Sequence, residues 1–129
     1  YGVFLNYHNH NWEFQQNGDC YRPLCQYAPD LYFGFDLGWV RKGGFDPVAV
    51  LRENAGRVRY VHLRDPGDDL ESRIFPDLGE GKTDLKGQLA VLKEILPEDG
   101  WVVVEYETGE PDAKRYQKAK RYLDTLLTK

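Results

Sequence analysis

Two imidazoles and a carboxylate crowd the start of the chain: His8, His10 and Glu13, within the run Tyr7-His8-Asn9-His10-Asn11-Trp12-Glu13-Phe14. They directly follow the apolar run Val3-Phe4-Leu5. Polar chemistry at the end of a buried strand is the usual address of an α/β active site. Three later strand-like runs also end on a side chain able to hold a metal: Asp36, His62 and Glu105. We read Glu13, Asp36, His62 and Glu105 as closing on one divalent cation. Three carboxylates and one imidazole suit Mn²⁺, Mg²⁺, Co²⁺ or Zn²⁺, with oxygen-rich ligation favouring the harder ions. No thiolate takes part, which argues against structural zinc.

Around this set stand residues suited to a polar substrate. Arg64 lies close to His62 in sequence and can hold a hydroxyl, carboxylate or phosphate by paired hydrogen bonds. Trp12 and Trp39 suit stacking, and core packing suits them equally. His8 and His10 either line the substrate site or cap a strand. Plainer roles stay open for the ligands too: Glu13 as a loop carboxylate, Asp36 as a helix cap, His62 as a hydrogen-bonded core histidine. Glu105 follows three valines, and a carboxylate buried there needs a compensating partner.

The elements that must position these side chains alternate between strand and helix. Gly2 to Tyr7 reads as a buried strand, Gln15 to Tyr21 as a loop turning at Asn17-Gly18, and Pro23 to Ala28 as a short helix. Leu31 to Phe35 is the second strand, ending at Asp36, and 37–44 reads as a flexible loop. Asp46-Pro47 starts a helix with Val48, Leu51 and Ala55 on its apolar face and Gly56 as a left-handed cap. Val58 to Leu63 is the third strand, and a long polar segment runs from Arg64 to Thr83. Asp84 caps a helix with Leu85, Leu89, Leu92 and Leu96 at helical spacing, stopped by Pro97 to Gly100. Trp101 to Val104 is the fourth strand, its unbroken apolar run pointing to burial on both faces. The last helix runs from near Pro111-Asp112 to about Leu127, with Tyr116, Ala119, Tyr122, Leu123 and Leu126 on the buried side. Gly79 and Gly81 in LGEGK lack the pattern of a phosphate loop and read as turn glycines. Lys118, Lys120 and Arg121 read as a solvated helix face.

Four strand-then-helix units imply parallel pairing with right-handed crossovers. Four units cannot close a barrel of eight and would leave two strand edges unpaired. The expectation is therefore an α/β (βα)4 half of a TIM (β/α)8 barrel over residues 1–129, completed by further sequence or a second copy. The chain begins at Tyr1 and contains no Met, which fits a piece of a longer protein. Its 129 residues, 41% hydrophobic and 29% charged, suit one globular domain. Net charge is −4 and no basic stripe is present, which argues against nucleic acid as a partner. No apolar run is long enough to span a bilayer. Cys20 and Cys25 are too few and too close for a disulfide framework, so a reducing, cytoplasmic setting is expected.

The runs YHNHNWEF, GFDLGWV, RYVHLRD, FPDLGEGKTDL and WVVVEYE, in that order, resemble the sugar phosphate isomerase/epimerase family of xylose isomerase-like TIM barrels. The resemblance extends over essentially the whole chain but matches only strands five to eight of the family's barrel. It implies Glu13, Asp36, His62 and Glu105 as metal ligands, with Glu13 and Glu105 also exchanging protons with substrate. It implies a sugar or sugar-phosphate substrate and an isomerase or epimerase working through a metal-stabilised enediolate. Inosose-type dehydration on the same scaffold is the alternative, as is an inactive half-barrel that only binds metal or assembles. Two positions depart from the family pattern. Many relatives have a His where this chain has Trp39, and some epimerases have an Arg where it has Asp68. Both bear on the substrate rather than the metal, and the resemblance implies substrate contacts at His8, His10, Trp39 and Arg64.

Overall fold

The computed structural model describes residues 2–108 and 112–128. Strands β1 (Asn6–His8), β2 (Tyr32–Asp36), β3 (Val58–Leu63) and β4 (Trp101–Val104) form one sheet in the order β1-β2-β3-β4, every neighbouring pair parallel. Helices α1 (Gln15–Gly18) and α2 (Tyr21–Tyr27) follow β1. Helices α3 (Leu37–Lys42) and α4 (Pro47–Glu53) follow β2, α5 (Leu85–Ile95) follows β3, and α6 (Ala113–Leu127) follows β4. Strands adjacent in sequence and in space, each followed by helix, make the expected α/β half-barrel.

Local chemistry explains most boundaries. The side chains of Asp46, Asp84 and Asp112 accept hydrogen bonds from the amides of Val48, Gly87 and Lys114, and so start α4, α5 and α6. Asn17-Gly18 does turn the chain: Gln16, Asn17 and Gly18 all have positive φ, which breaks α1. One face of the sheet supplies the core. Phe33 and Phe35 of β2 and Val61 and Leu63 of β3 are fully buried in one cluster with Val50 and Leu51 of α4 and Leu89 and Leu92 of α5. Burying each such side chain stabilises the fold by about 1.5–3 kcal/mol.

Several expectations are corrected. The first strand is shorter and later than Gly2 to Tyr7, and Val3 and Leu5 are 84% and 76% exposed. Trp101 and Val102 are 72% and 40% exposed rather than buried on both faces. The reason is shared: among the described residues, β1 pairs only with β2, and β4 only with β3. Segment 37–44 is not a flexible loop, because α3 occupies most of it and buries Leu37 and Val40 completely. Gly56 has no positive φ; α4 stops at Glu53 and runs into a 3₁₀ turn at Ala55–Arg57. The buried face of α4 is Pro47, Val50 and Leu51, and Tyr116 of α6 is 45% exposed. Pro111, expected at the start of the last helix, lies outside the described residues.

The polar segment after β3 has no regular structure, yet it is tied down. The Asp65 carboxylate accepts from the amides of Gly79, Gly81 and Thr83 at 2.8, 3.0 and 3.0 Å. Its own Phe75 and Leu78 are buried. Gly81 must be glycine, because a Cβ there would sit 2.1 Å from the Asp65 carbonyl oxygen. The glycines of LGEGK thus turn the chain around its own carboxylate.

Candidate metal centre

Strand alternation sets the site. In register, His8 lies beside Gly34, Asp36 beside His62, and His62 beside Val103. Side chains two residues apart share a face, so His8, Asp36, His62, Arg64 and Glu105 all belong to the face opposite the apolar core. They also stand at one end of it, where the parallel strands finish.

Among the described residues, His8, Asp36, His62 and Glu105 each offer a ligand atom, all within 4.8 Å of one another. His8 Nε2 and His62 Nδ1 lie 3.9 and 4.0 Å from Asp36 Oδ2, and His62 Nδ1 contacts Glu105 Oε2. An ion with bonds of about 2.0–2.2 Å holds its ligand atoms roughly 3–4 Å apart. The two imidazoles stand at that spacing from Asp36, while His62 and Glu105 contact each other directly and would have to part to share an ion. The donor chemistry fits. Burial is the main cause that lowers the His8 pKa, helped by His62 and His10, which keeps the ring neutral as a ligand must be.

The carboxylates are set by opposing forces. Burial is the largest influence at Asp36 and raises its pKa, against the lowering pull of Arg64 and the Trp39 amide. At Glu105 burial also pushes upward, but Arg64 and His62 outweigh it and hold the carboxyl below its ordinary range. Arg64 is fully buried between the acids: its Nε donates to Asp36 at 2.6 Å, and its Nη2 lies 3.0 Å from Glu105 and 2.8 Å from Glu107. Its Nη1 has no partner among the described residues, and neither does the buried Trp39 Nε1.

Backbone devices hold Asp36 in place. Its side chain accepts from the Trp39 amide and caps α3, and the same carboxylate belongs to the cluster that could hold an ion. The buried Asn9 carboxamide accepts from the Asp36 amide at 2.9 Å and donates to the Asp36 carbonyl at 3.2 Å, extending the pairing past the end of β1. Gly38 lets α3 approach: a Cβ there would lie 2.5 Å from Arg64 Cβ.

The structure does not bring Glu13 to this cluster. Glu13 is buried, and its two carboxylate oxygens accept from the Tyr7 hydroxyl at 2.7 Å and the His10 amide at 2.8 Å. Among the described residues, it is His8, five residues earlier, that stands with Asp36, His62 and Glu105. Strand parity was the signal for this, since His8 is the last residue of β1 and Glu13 lies well past it. Of the expected substrate residues, His10 and Trp39 line a cavity of about 490 Å³ beside the cluster, His8 sits within the cluster, and Arg64 lies beneath it. Trp12, Glu71, Arg73 and Glu107 also line that cavity. Glu107, Asn9 and Asp65 carry no motif that marks them singly in the sequence.

No family model matches the chain. It is 30% identical to the inosose dehydratase of Geobacillus kaustophilus, over 98% of this chain and 47% of that protein. Among solved structures it resembles a xylose isomerase domain protein from Planctomyces limnophilus, with a TM-score of 0.72 and 23% identity over 97% of this chain and 45% of that one. It also resembles a sugar phosphate isomerase/epimerase from Parabacteroides distasonis, with a TM-score of 0.69 and 22% identity over 95% and 45%. The chain spans about half the length of the curated relatives it matches. Among the described residues, no helix is long and apolar enough to cross a membrane.

Proposed function

We propose that this chain, which has the fold of one half of a xylose isomerase-like (β/α)8 barrel, is the metal-binding half of an enzyme that moves a proton on a polyhydroxylated ketone. The observation that carries the reading is the convergence of His8, Asp36, His62 and Glu105 from four successive strand ends. Two imidazoles and two carboxylates favour Mn²⁺, Co²⁺ or Zn²⁺ over Mg²⁺, which prefers all-oxygen ligation. A bound ion would polarise a substrate carbonyl and acidify the adjacent C–H.

The chain's own residues then divide the work. Glu105 is the base: its contacts among the described residues run through Oε2, which leaves Oε1 to take the proton. Arg64 favours the ionised form of Glu105 and opposes the effect of burial at Asp36, and its unpartnered Nη1 with Trp39 Nε1 offers two donors to a substrate oxygen. His10, Trp12 and Trp39 wall the cavity that takes the sugar ring. Glu13, committed to Tyr7 and His10, serves here as the brace of the 9–14 segment rather than as a second base.

Whether the proton returns to carbon, as in an isomerase or epimerase, or a hydroxyl leaves, as in a dehydratase, depends on what stands opposite Glu105. The relatives by sequence are inosose dehydratases, which favours water loss from an inosose. The open strand edges at β1 and β4 are completed by the other half of a barrel or by a second copy of this chain. The test is titration of the full chain with Mn²⁺, Co²⁺ and Zn²⁺, followed by incubation with an inosose in deuterated water. The expected result is a rise in melting temperature equivalent to about 2.7 kcal/mol at a hundredfold excess over Kd, with deuterium exchange or water loss that Glu105→Gln abolishes. No metal-dependent stabilisation, or unchanged turnover in Glu105→Gln, overturns the reading.

A further inference from the structure

Lys42 stands outside every role assigned so far. It closes the last turn of α3, is only 5% exposed, and faces no carboxylate within ion-pair distance among the described residues. Its ammonium instead donates to three backbone carbonyls of the segment after β3: Asp69 and Leu70 at 3.4 Å each, and Ser72. It also lies over the Phe75 ring at 4.9 Å and near the Trp39 ring at 6.0 Å. An ammonium has three donors and no acceptor, so three converging carbonyls are its natural complement. Buried cations are rare unless paired or hydrogen-bonded, so this one must return something for its desolvation.

What it holds is the wall of the substrate cavity. Leu70, Glu71 and Arg73 line that cavity opposite His10, Trp12 and Trp39. Helix α3 thus has the ligand Asp36 as its cap at one end and Lys42 at the other. Six residues of helix link the metal cluster to the loop that faces the substrate. We infer that Lys42 is a positioning residue, whose ammonium clamps the backbone of 69–72 to α3 and so fixes where Leu70, Glu71 and Arg73 stand around the bound molecule.

Within 69–74 the segment's own hydrogen bonds are local, from the Glu71 and Ser72 amides to the Asp69 carboxylate and from the Ile74 amide to the Ser72 hydroxyl, and none of these reaches α3. It has no regular secondary structure, Asp65 anchors its far end at Gly79 to Thr83, and Arg115 and Lys118 of α6 hold it at Phe75 and Asp77, which leaves 69–72 to Lys42. Without Lys42, the carbonyls of Asp69, Leu70 and Ser72 lose a shared partner, and Glu71 and Arg73 leave their places. The loss falls on substrate binding more than on the chemical step, since no ligand of the cluster touches Lys42.

The test is amide hydrogen exchange on the full chain and its Lys42→Met variant, with Lys42→Gln as a second variant should the first fail to fold. The clamp predicts exchange at residues 69–74 faster by about tenfold or more, with β2 and β3 unchanged. Unchanged protection of that segment in a folded variant overturns it. The second readout rests on the proposed function: KM for an inosose rises roughly fivefold while kcat moves less. A loop that loosens in a protein with no turnover at all supports the clamp and sinks only the proposed reaction. A fall in kcat alone with KM unchanged rejects the positioning role.

Discussion

The two faces of the one sheet are built from the same strands and differ in almost everything else. The face toward the helices carries Phe33, Phe35, Val61 and Leu63, all but inaccessible, in a continuous apolar cluster. The other carries His8, Asp36, His62, Arg64 and Glu105 at the strand ends, with Tyr60 below them and Trp101 largely exposed at the far end. Stability comes from the first face, through area removed from water. The proposed chemistry sits on the second, through groups that are expensive to bury singly and tolerable only together.

The largest effect should come from the helix-facing side. Phe35 lies at the centre of the core and stacks on Phe33 with ring centroids 4.6 Å apart. Replacing it by alanine should cost about 3–5 kcal/mol of unfolding free energy, measured by denaturant titration. It should leave metal affinity little changed wherever the variant remains folded. A cost below about 1 kcal/mol would mean that the apolar cluster does not hold the sheet.

Asp36 is the residue at which the two faces stop being separable, and it gives the next effect down. Its carboxylate serves Arg64, the α3 cap and the metal cluster at once. Asp36→Asn keeps an oxygen for the cap but removes the charge, leaving Arg64 to Glu105 and Glu107. Losing the charged hydrogen bond to Arg64 costs about 1.5–3 kcal/mol, and relief of the burial that disfavours the Asp36 charge offsets part of it. We expect a net loss at the lower end of that range, together with weakened ion binding by calorimetry. His62→Gln, at a partly exposed ring, should weaken ion binding with a stability change under about 1 kcal/mol. Equal stability losses in the two variants would show that the inner face contributes to folding as a unit.

Strand alternation also explains what was readable in the sequence. Val58 to Leu63 and Trp101 to Val104 were located as they stand, because runs of β-branched and aromatic residues bounded by turns have few other homes. Asp46, Asp84 and Asp112 were legible as starts because capping is a local interaction. Residues brought together by register were harder. Choosing His8 over Glu13 requires knowing that the strand ends at His8 and that the chain then folds back, with Phe14 buried against Tyr21 and Phe45. Helix α3 was hidden by Gly38 and Gly43-Gly44, which read as loop glycines. Gly38 is in fact small so that α3 can lie against Arg64, and Gly43 so that it can lie against Phe14. Neither contact is encoded within a window of neighbouring residues.

The smallest effect tests the rim between the faces, where the long segment after β3 meets the last helix. Asp77 accepts from Arg115 and from Lys118 of α6, and these hydrogen bonds hold its carboxyl below the ordinary value of 3.8. Its folded pKa is therefore lower than its unfolded one. The stabilisation is complete above the unfolded value and is lost as pH falls through the folded value. Asp77→Asn should thus cost stability at neutral pH by no more than about 1 kcal/mol, because the pair is partly solvated and screened by salt. The difference between variant and parent should vanish as the pH is taken below 3.8 toward the folded value. Measured by thermal unfolding across that window, a difference that persists in acid would assign the contribution to packing of the rim rather than to charge. The rim would then belong with the helix-facing core, and the electrostatic territory of this half-barrel would shrink to the cluster around Arg64.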